Sequence, residues 1–412
     1  MATIVLFSGI FCREDMVIEE LGATTGFRLV SDKEVIGAAA KLSGVAESKI
    51  SKAFSAKTSV FNKFTMEKET SIAYMKLALA DMLTDESVLV RGHTGLLIPK
   101  AVSHVLRICL IADMPYRTQS AVIDQGLSEK EAAKMILRGD MDSAAWIRAL
   151  FDIEDPWDPS LFDMVIPVDK RTPPEAATAI IQNATKSVIQ PTSESRQAID
   201  DFRLAAQVEK ALFEEGHHVG VSAAKGVVTL VINRHVLMLK RLEEELKAIA
   251  EKVAGITSVI TEVGKDFHKS HIYRKHDFQS PSRVLLVDDE REFAETLSER
   301  LMIRDVGTAV AHDGQSALSL IENDDPEVMI IDLKMPDISG LEILKKVKKT
   351  RPEIEVIVLT GHGSDADKDI CLNLGALAYL QKPVEIEELN ELIQKANAKI
   401  RAKKKSQLLN TE

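Results

Sequence analysis

Apolar and polar positions change their rhythm twice along these 412 residues. Up to about Ile189, short apolar runs at Ile4 to Phe7, Ser87 to Val90, Leu106 to Ala112 and Met164 to Val168 alternate with long stretches of helical spacing. That alternation predicts an α/β domain. A second rhythm follows: a helix from Ile199 to Glu214, a short strand bracketed by Gly216 and Gly226, a strand Val227 to Ile232, a helix ending near Gly255 and a last strand Ile256 to Val263. Within it Leu239, Leu242, Leu246, Ile249, Val253 and Ile256 are spaced 3, 4, 3, 4, 3, as a coiled-coil seam would be. The run covers too few heptads for a coiled coil, so we read it as a helix lying on a small α+β sheet. The last third carries apolar runs at Val284 to Val287, Val306 to Ala311, Val328 to Ile331, Val356 to Leu359 and Ala378 to Leu380, separated by amphipathic helices. Five strands alternating with helices require parallel crossovers, which predicts a doubly wound five-stranded parallel sheet.

Polar stretches at Gln190-Pro-Thr-Ser-Glu-Ser-Arg and from Lys265 to Ser282 mark boundaries, giving expected domains over 1–190, 197–266 and 282–404. Apolar residues at 45% and charged residues at 28% are the balance of a soluble multidomain α/β protein rather than a disordered one. The net charge of -11 argues against nucleic acid as a partner of the whole chain, because phosphate attraction needs a basic face. Basic runs at Lys269 to Lys275 and around Arg401 read as solvated ends. Cys12, Cys109 and Cys371 lack the spacing of a disulfide framework or a zinc site, which fits a reducing cytoplasm. The first residues carry no basic leader, and no apolar stretch approaches the roughly 20 residues that cross a bilayer. The expectation is a cytoplasmic protein without a membrane span.

Candidate chemistry is densest in the last third. In a doubly wound sheet, ligands sit beyond the carboxyl ends of the strands where strand order reverses, between the first and third strands in the 2-1-3-4-5 order. Asp288 and Asp289 end the first strand and Asp332 ends the third, so three carboxylates converge on one crevice. Like-charge repulsion makes that arrangement costly without a cation, and Mg2+ is the natural one because it takes oxygen ligands and bridges to phosphate. A carboxylate in such a place can act as a nucleophile toward phosphorus. Lys382, after the fifth strand, supplies a charge for phosphoryl oxygens, and Thr360, ending the fourth, supplies a hydroxyl.

The runs Val287-Asp-Asp-Glu, Ile331-Asp-Leu-Lys-Met-Pro, Thr360-Gly and Tyr379-Leu-Gln-Lys-Pro resemble, in order, the signatures of the response-regulator receiver family across residues 282 to 403. The resemblance implies a flavodoxin-like receiver fold with Asp332 as the phosphoacceptor. It further implies Mg2+ on Asp289 and Asp332, with Asp288 reaching it through water and Lys334 offering a backbone carbonyl. Thr360 and Tyr379 would be a switch pair, and Pro383 would follow Lys382 through a cis peptide. A sensor histidine kinase or phosphotransfer protein would be the partner, and a phosphorylation-dependent dimer is a further candidate.

At the other end, a nucleotide kinase would carry GxxxxGK[ST] after its first strand, so that backbone amides wrap a phosphate and a Lys meets it. Here Phe7-Ser-Gly-Ile-Phe-Cys-Arg-Glu-Asp stands instead, without the Lys and with one Gly. Ile10 and Phe11 add bulk where close backbone approach is needed. Even so, Val90-Arg-Gly-His-Thr-Gly, Leu106-Arg-Ile-Cys-Leu-Ile-Ala-Asp-Met-Pro-Tyr-Arg, Gly126-Leu-Ser-Glu-Lys-Glu-Ala and Phe162-Asp-Met-Val-Ile-Pro-Val-Asp resemble the cytidylate-kinase-like family across residues 2 to 185. That implies a P-loop-kinase-like α/β domain with a degenerate phosphate loop at Ser8 to Arg13. The family's lid motif falls on Arg138 to Asp142, with Ser143 near where its later Arg belongs. Arg13, Arg91 and Arg117 are candidate phosphate contacts, or else surface arginines in ion pairs. His93, between Gly92 and Gly95, either lines a cleft or is a turn histidine.

Residues 199 to 263, especially Gly226-Val-Val-Thr-Leu-Val-Ile and Val253-Ala-Gly-Ile-Thr-Ser-Val, resemble the BON family of small α/β modules. The family is associated with phospholipid surfaces; a spacer or protein-contact module is the reading preferred here, since no aromatic belt is evident. The expected function is a two-component signalling protein whose receiver, phosphorylated on Asp332, controls a kinase-like and BON-like region without nucleotide kinase activity. Alternatives are a phospho-regulated nucleotide kinase with a nucleotide bound in the first domain, and a phosphate-sink or scaffold protein. No helix-turn-helix segment is apparent, which speaks against a transcription factor.

Overall fold

In a computed structural model the described residues are 3–83, 87–233, 236, 238–265, 267, 283–304, 306–361 and 364–409. The basic run Lys269 to Lys275 and most of the boundary after Lys265 lie outside them. The chain divides into two compact units, one of Met1–Thr58 with Glu67–Lys275 and one of Ser59–Met66 with His276–Glu412.

The first unit holds two sheets. Strands β1 (Thr3–Ser8), β2 (Arg28–Ser31), β3 (Val88–Arg91), β4 (Val105–Ile111) and β5 (Met164–Pro167) form a parallel sheet in the order β2-β3-β1-β4-β5. Successive side chains of a strand face opposite ways. In β1, Val5 and Phe7 accordingly enter one buried cluster and Ile4 and Leu6 another. Both faces are covered, as a parallel sheet requires. Strand β2 was not expected: Arg28 and Leu29 are exposed and only Val30 is buried, so no apolar run announces it.

Strands β6 (Gly220–Ala224), β7 (Val227–Ile232) and β8 (Ser258–Val263) form the second sheet, antiparallel between β6 and β7 and parallel between β7 and β8. Alternation is clear in β7, where Val228, Leu230 and Ile232 are buried. They meet Leu242, Leu246 and Ile249 from the helix Leu239–Ala250, so the heptad-like spacing serves a helix on a sheet. The helix Ser193–Glu214 contributes to both cores. Ile199 and Phe202 join the first sheet's cluster, while Leu204, Val208 and Leu212 join the second's.

In the second unit β9 (Val284–Val287), β10 (Thr308–Ala311), β11 (Val328–Ile331), β12 (Glu355–Thr360) and β13 (Ala378–Gln381) form one parallel sheet. Its order, β10-β9-β11-β12-β13, is the expected 2-1-3-4-5. Strands β9, β11 and β12 are buried throughout, and helices on each face complete two apolar clusters. Phe61, fully buried, belongs to one of them.

Candidate functional site

Register builds the C-terminal site. Ile331 pairs with Val287 on one side and Val358 on the other, so the next residues, Asp288 and Asp332, emerge side by side at the carboxyl edge. Their backbones are fixed by Asp332 N–H to the Val287 carbonyl at 3.0 Å and Asp288 N–H to the Ala311 carbonyl at 3.1 Å. Ligand atoms of Asp288, Asp289 and Asp332 all lie within 4.8 Å of one another. Three convergent carboxylates suit a hard divalent cation.

Lys382 completes the cluster. Its Nζ lies 2.7 Å from Asp288 Oδ2, 3.1 Å from Asp332 Oδ2 and 3.0 Å from Glu290 Oε1. It also stands 4.3 Å from the Phe293 ring centroid. The Lys382–Pro383 peptide is cis, as the resemblance implied. Burial pushes the Asp288 carboxyl up against the opposing pull of Lys382. On Lys382 burial acts to lower the ammonium, but hydrogen bonds to Asp288, Glu290 and Asp332 outweigh it and hold the group well above the ordinary lysine range.

Around this cluster Thr360 is fully buried at the end of β12, and Lys382 N–H donates to its carbonyl at 3.0 Å. Tyr379 pairs with Val358 across the sheet and has a buried hydroxyl without a hydrogen-bond partner among the described atoms. Lys334 is exposed, and its N–H donates to Asp332 Oδ1 at 3.2 Å. Sequence reading missed Glu290 and Phe293 as partners of Lys382, and it missed Gly340. A Cβ at Gly340 would stand 1.9 Å from the Asp332 carbonyl oxygen, so glycine is what lets the helix Gly340–Thr350 begin against the end of β11.

The first sheet presents a different picture at its carboxyl edge. After β1, Phe11 and Arg13 adopt left-handed backbone conformations, φ 61° and 50°. A Cβ on Gly9 would meet Cys12 Sγ at 3.2 Å and Arg117 Cζ and Trp157 Cη2 at 3.3 Å. Side chains of the protein itself therefore fill the space over the loop. Arg117, buried, makes a two-pronged pair with Asp140 at 2.9 and 2.6 Å and donates to the Ile10 carbonyl at 2.9 Å. Arg91 binds Glu14, with Nε 2.7 Å from Oε1, and Asp15 at 2.5 Å. Arg13 donates to Ser120 Oγ at 3.2 Å, and Asp124 stands 3.9 Å away. All three candidate arginines are engaged within the domain. Glu14 and Asp15 occupy the first turn of the helix Glu14–Thr25, where their charge already complements the helix dipole that an anion would use.

His93 stands at this edge, directly before the helical turn Thr94–Leu97. Asp32 accepts from His93 N–H and Thr94 N–H at 2.9 Å each and from Thr94 Oγ1 at 2.7 Å, with His93 Nδ1 at 3.3 Å. Burial works to raise the Asp32 carboxyl, but the bonds from His93 and Thr94 prevail and hold it below its usual range. His93 Nε2 stands 3.3 Å from Ser143 Oγ, and Trp146 Nε1 donates to the His93 carbonyl at 3.0 Å. The expected lid motif at Arg138 to Asp142 lies within one continuous helix, Glu129–Phe151.

Comparison with known proteins agrees with both ends. Residues 284–394 match the family model of the response regulator receiver domain, and residues 11–170 match that of the cytidylate kinase-like family. Response regulator MprA of Mycolicibacterium vanbaalenii is 37% identical over 109 residues, 26% of this chain and 47% of that protein. MprA of Mycobacterium avium is 36% identical over 107 residues, again 26% and 47%. The chain thus spans about half the length of the curated relatives it matches. Among solved structures, a response regulator receiver domain protein (CheY-like) from Methanospirillum hungatei JF-1 is 31% identical, covering 30% of this chain and 99% of that one with a TM-score of 0.29. No helix among the described residues is long and apolar enough to cross a membrane.

Proposed function

We propose, from the premise that residues 284–394 belong to the response regulator receivers and residues 11–170 to the cytidylate kinase-like family, that this chain is a phosphorylation-controlled signalling protein. Asp332 accepts the phosphoryl group from a sensor histidine kinase or phosphotransfer protein, and the region before the receiver reads the change. The observation that carries this is the convergence of Asp288, Asp289 and Asp332 with Lys382 held between Asp288 and Asp332.

Asp288, Asp289, Asp332 and the Lys334 carbonyl would hold Mg2+, which when bound supplies charge neutralisation for phosphoryl transfer. A carboxylate oxygen of Asp332 attacks phosphorus, the new O–P bond forms as the donor's bond to phosphorus breaks, and the electron pair leaves with the donor. Lys382 then turns its ammonium from the free carboxylates to the phosphoryl oxygens. Thr360 donates its hydroxyl to the same group, and Tyr379 follows Thr360.

The kinase-like domain is read as a binding or docking platform without phosphoryl transfer, because Glu14, Asp15 and Asp140 occupy Arg91 and Arg117, two of the three candidate phosphate contacts. Residues 197–266 are read as a BON-like contact module, supported by the three-stranded sheet backed by the helix Leu239–Ala250.

The test is labelling of the full chain by acetyl phosphate with magnesium. Wild type should label in proportion to magnesium, and Asp332→Asn should give none. Labelling of Asp332→Asn at the wild-type level would overturn the assignment.

A further inference from the structure

The receiver unit includes eight residues that precede it by more than two hundred positions, Ser59–Met66. They make a compact knuckle. Phe61 N–H donates to Ser59 Oγ at 3.2 Å and Asn62 N–H to the Ser59 carbonyl at 3.0 Å, and the helical turn Asn62–Thr65 follows. Met66, left-handed at φ 50°, closes the turn with its N–H on the Asn62 carbonyl at 2.8 Å. Phe61 is fully buried in the cluster that contains Ala317 and Ile321, Met329 and Ile331, and Ile343, Leu344 and Val347. Burial of an aromatic side chain removes roughly 150–250 Å² of surface from water, the usual size of an anchor.

A second contact is polar and explains a residue that is otherwise awkward. Asp324 is buried in the last turn of the helix Gly314–Asp324, where a polar side chain left without a hydrogen-bond partner would be costly. Val60 N–H donates to Asp324 Oδ1 at 3.1 Å. The buried acid is thereby matched to a backbone donor of the segment.

We propose that Ser59–Met66 is an intramolecular docking peptide, anchored by Phe61 and by Val60 N–H on Asp324, through which the receiver holds a segment continuous in the chain with residues 1–58 and 67–275. The anchor's cluster shares Met329 and Ile331 with the strand that ends in Asp332. It shares Ile343, Leu344 and Val347 with the helix that starts against the Asp332 carbonyl through Gly340. Phosphorylation at Asp332 and docking of the segment therefore act on the same strand and helix. This rests on the receiver reading. Linkage makes the coupling reciprocal, so a change in docking strength on phosphorylation appears as an equal change in the phosphorylation equilibrium when docking is weakened.

The experiment is hydrogen exchange of the full chain with magnesium, before and after acetyl phosphate, with labelling of Asp332 measured in the same samples. In unphosphorylated protein, Phe61→Ala should lose amide protection across 59–66 while β9 and β11 stay protected. Asp324→Asn, which weakens the acceptor while keeping nearly the same side-chain volume, should lose part of it. In wild type, labelling should change the protection of 59–66 by about 5- to 150-fold, the usual span of a coupling between sites. Unchanged protection of 59–66 in both variants overturns the docking. Labelled wild type with unchanged 59–66 overturns the coupling and leaves the receiver reading standing. Absence of labelling at Asp332 fails the receiver reading itself, independently of the segment.

Discussion

Replacing Lys382 by Met should tighten magnesium binding while blunting the response to phosphorylation. The ammonium now makes close contacts with Asp288, Glu290 and Asp332, two of which are candidate metal ligands. For a cation to take the Asp332 oxygen, Lys382 must surrender that charge-assisted bond, worth about 1.5 to 3 kcal/mol. At about 1.4 kcal/mol per tenfold, the surrender weakens the metal by roughly 10- to 150-fold. Met keeps an apolar stem beside Phe293 but offers the carboxylates nothing, so Lys382→Met should bind magnesium tighter by that factor. Calorimetric titration of the full chain measures it, with Asp332→Asn as the reference that has lost a ligand. The same variant should still label with acetyl phosphate, because Asp332 is intact, yet show a smaller phosphorylation-dependent change in exchange around Thr360. Magnesium binding equal to or weaker than wild type would refute the competition between ammonium and metal.

Two further predictions concern other parts of the molecule. Glu355, fully buried, accepts from Lys399 at 2.9 Å and Lys403 at 3.1 Å. Burial acts to raise its carboxyl, but the two lysines prevail and hold it below the ordinary value of 4.5. A depressed folded value stabilises the native state above the unfolded value and is lost as pH falls through the folded one. With both lysines half exposed, Glu355→Gln should cost about 1 to 2 kcal/mol at pH 7. The gap should close below pH 4.5, as read by local exchange in β12, and a gap that widens in acid would contradict the pairing. Calorimetry with ATP and CMP plus a coupled assay should find no nucleoside-monophosphate kinase turnover, since each missing preorganised donor costs about 100- to 1000-fold. Turnover at roughly 1 to 1000 per second that is lost in Arg13→Ala would restore the kinase alternative.

What the sequence disclosed depended on whether the chemistry sits where the chain's local pattern puts it. Asp288, Asp289, Asp332, Thr360 and Lys382 all stand at strand ends, so finding the five apolar runs was enough to bring them together, and the 2-1-3-4-5 sheet order follows from the crossovers. Other side chains that reach the same cluster were not legible. Glu290 and Phe293 meet Lys382 across 92 and 89 positions of chain, and no periodicity relates such distant residues. In the first domain the loss of the phosphate-loop Lys was visible, but the reason the arginines are spent was not, because Arg91 and Arg117 find Glu14, Ile10 and Asp140 only after the sheet has assembled. His93 shows the same limit. Its partner Asp32 follows β2, a four-residue strand with a single buried side chain, so the absence of an apolar run hid both the strand and the carboxylate at its end. Phe61 was hidden more completely still. Val60, Phe61, Phe64 and Met66 are interspersed with polar residues in a short stretch, and only the long-range contact distinguishes an anchor from an exposed Phe, because burial is a property of the assembled core and not of the segment that supplies the side chain.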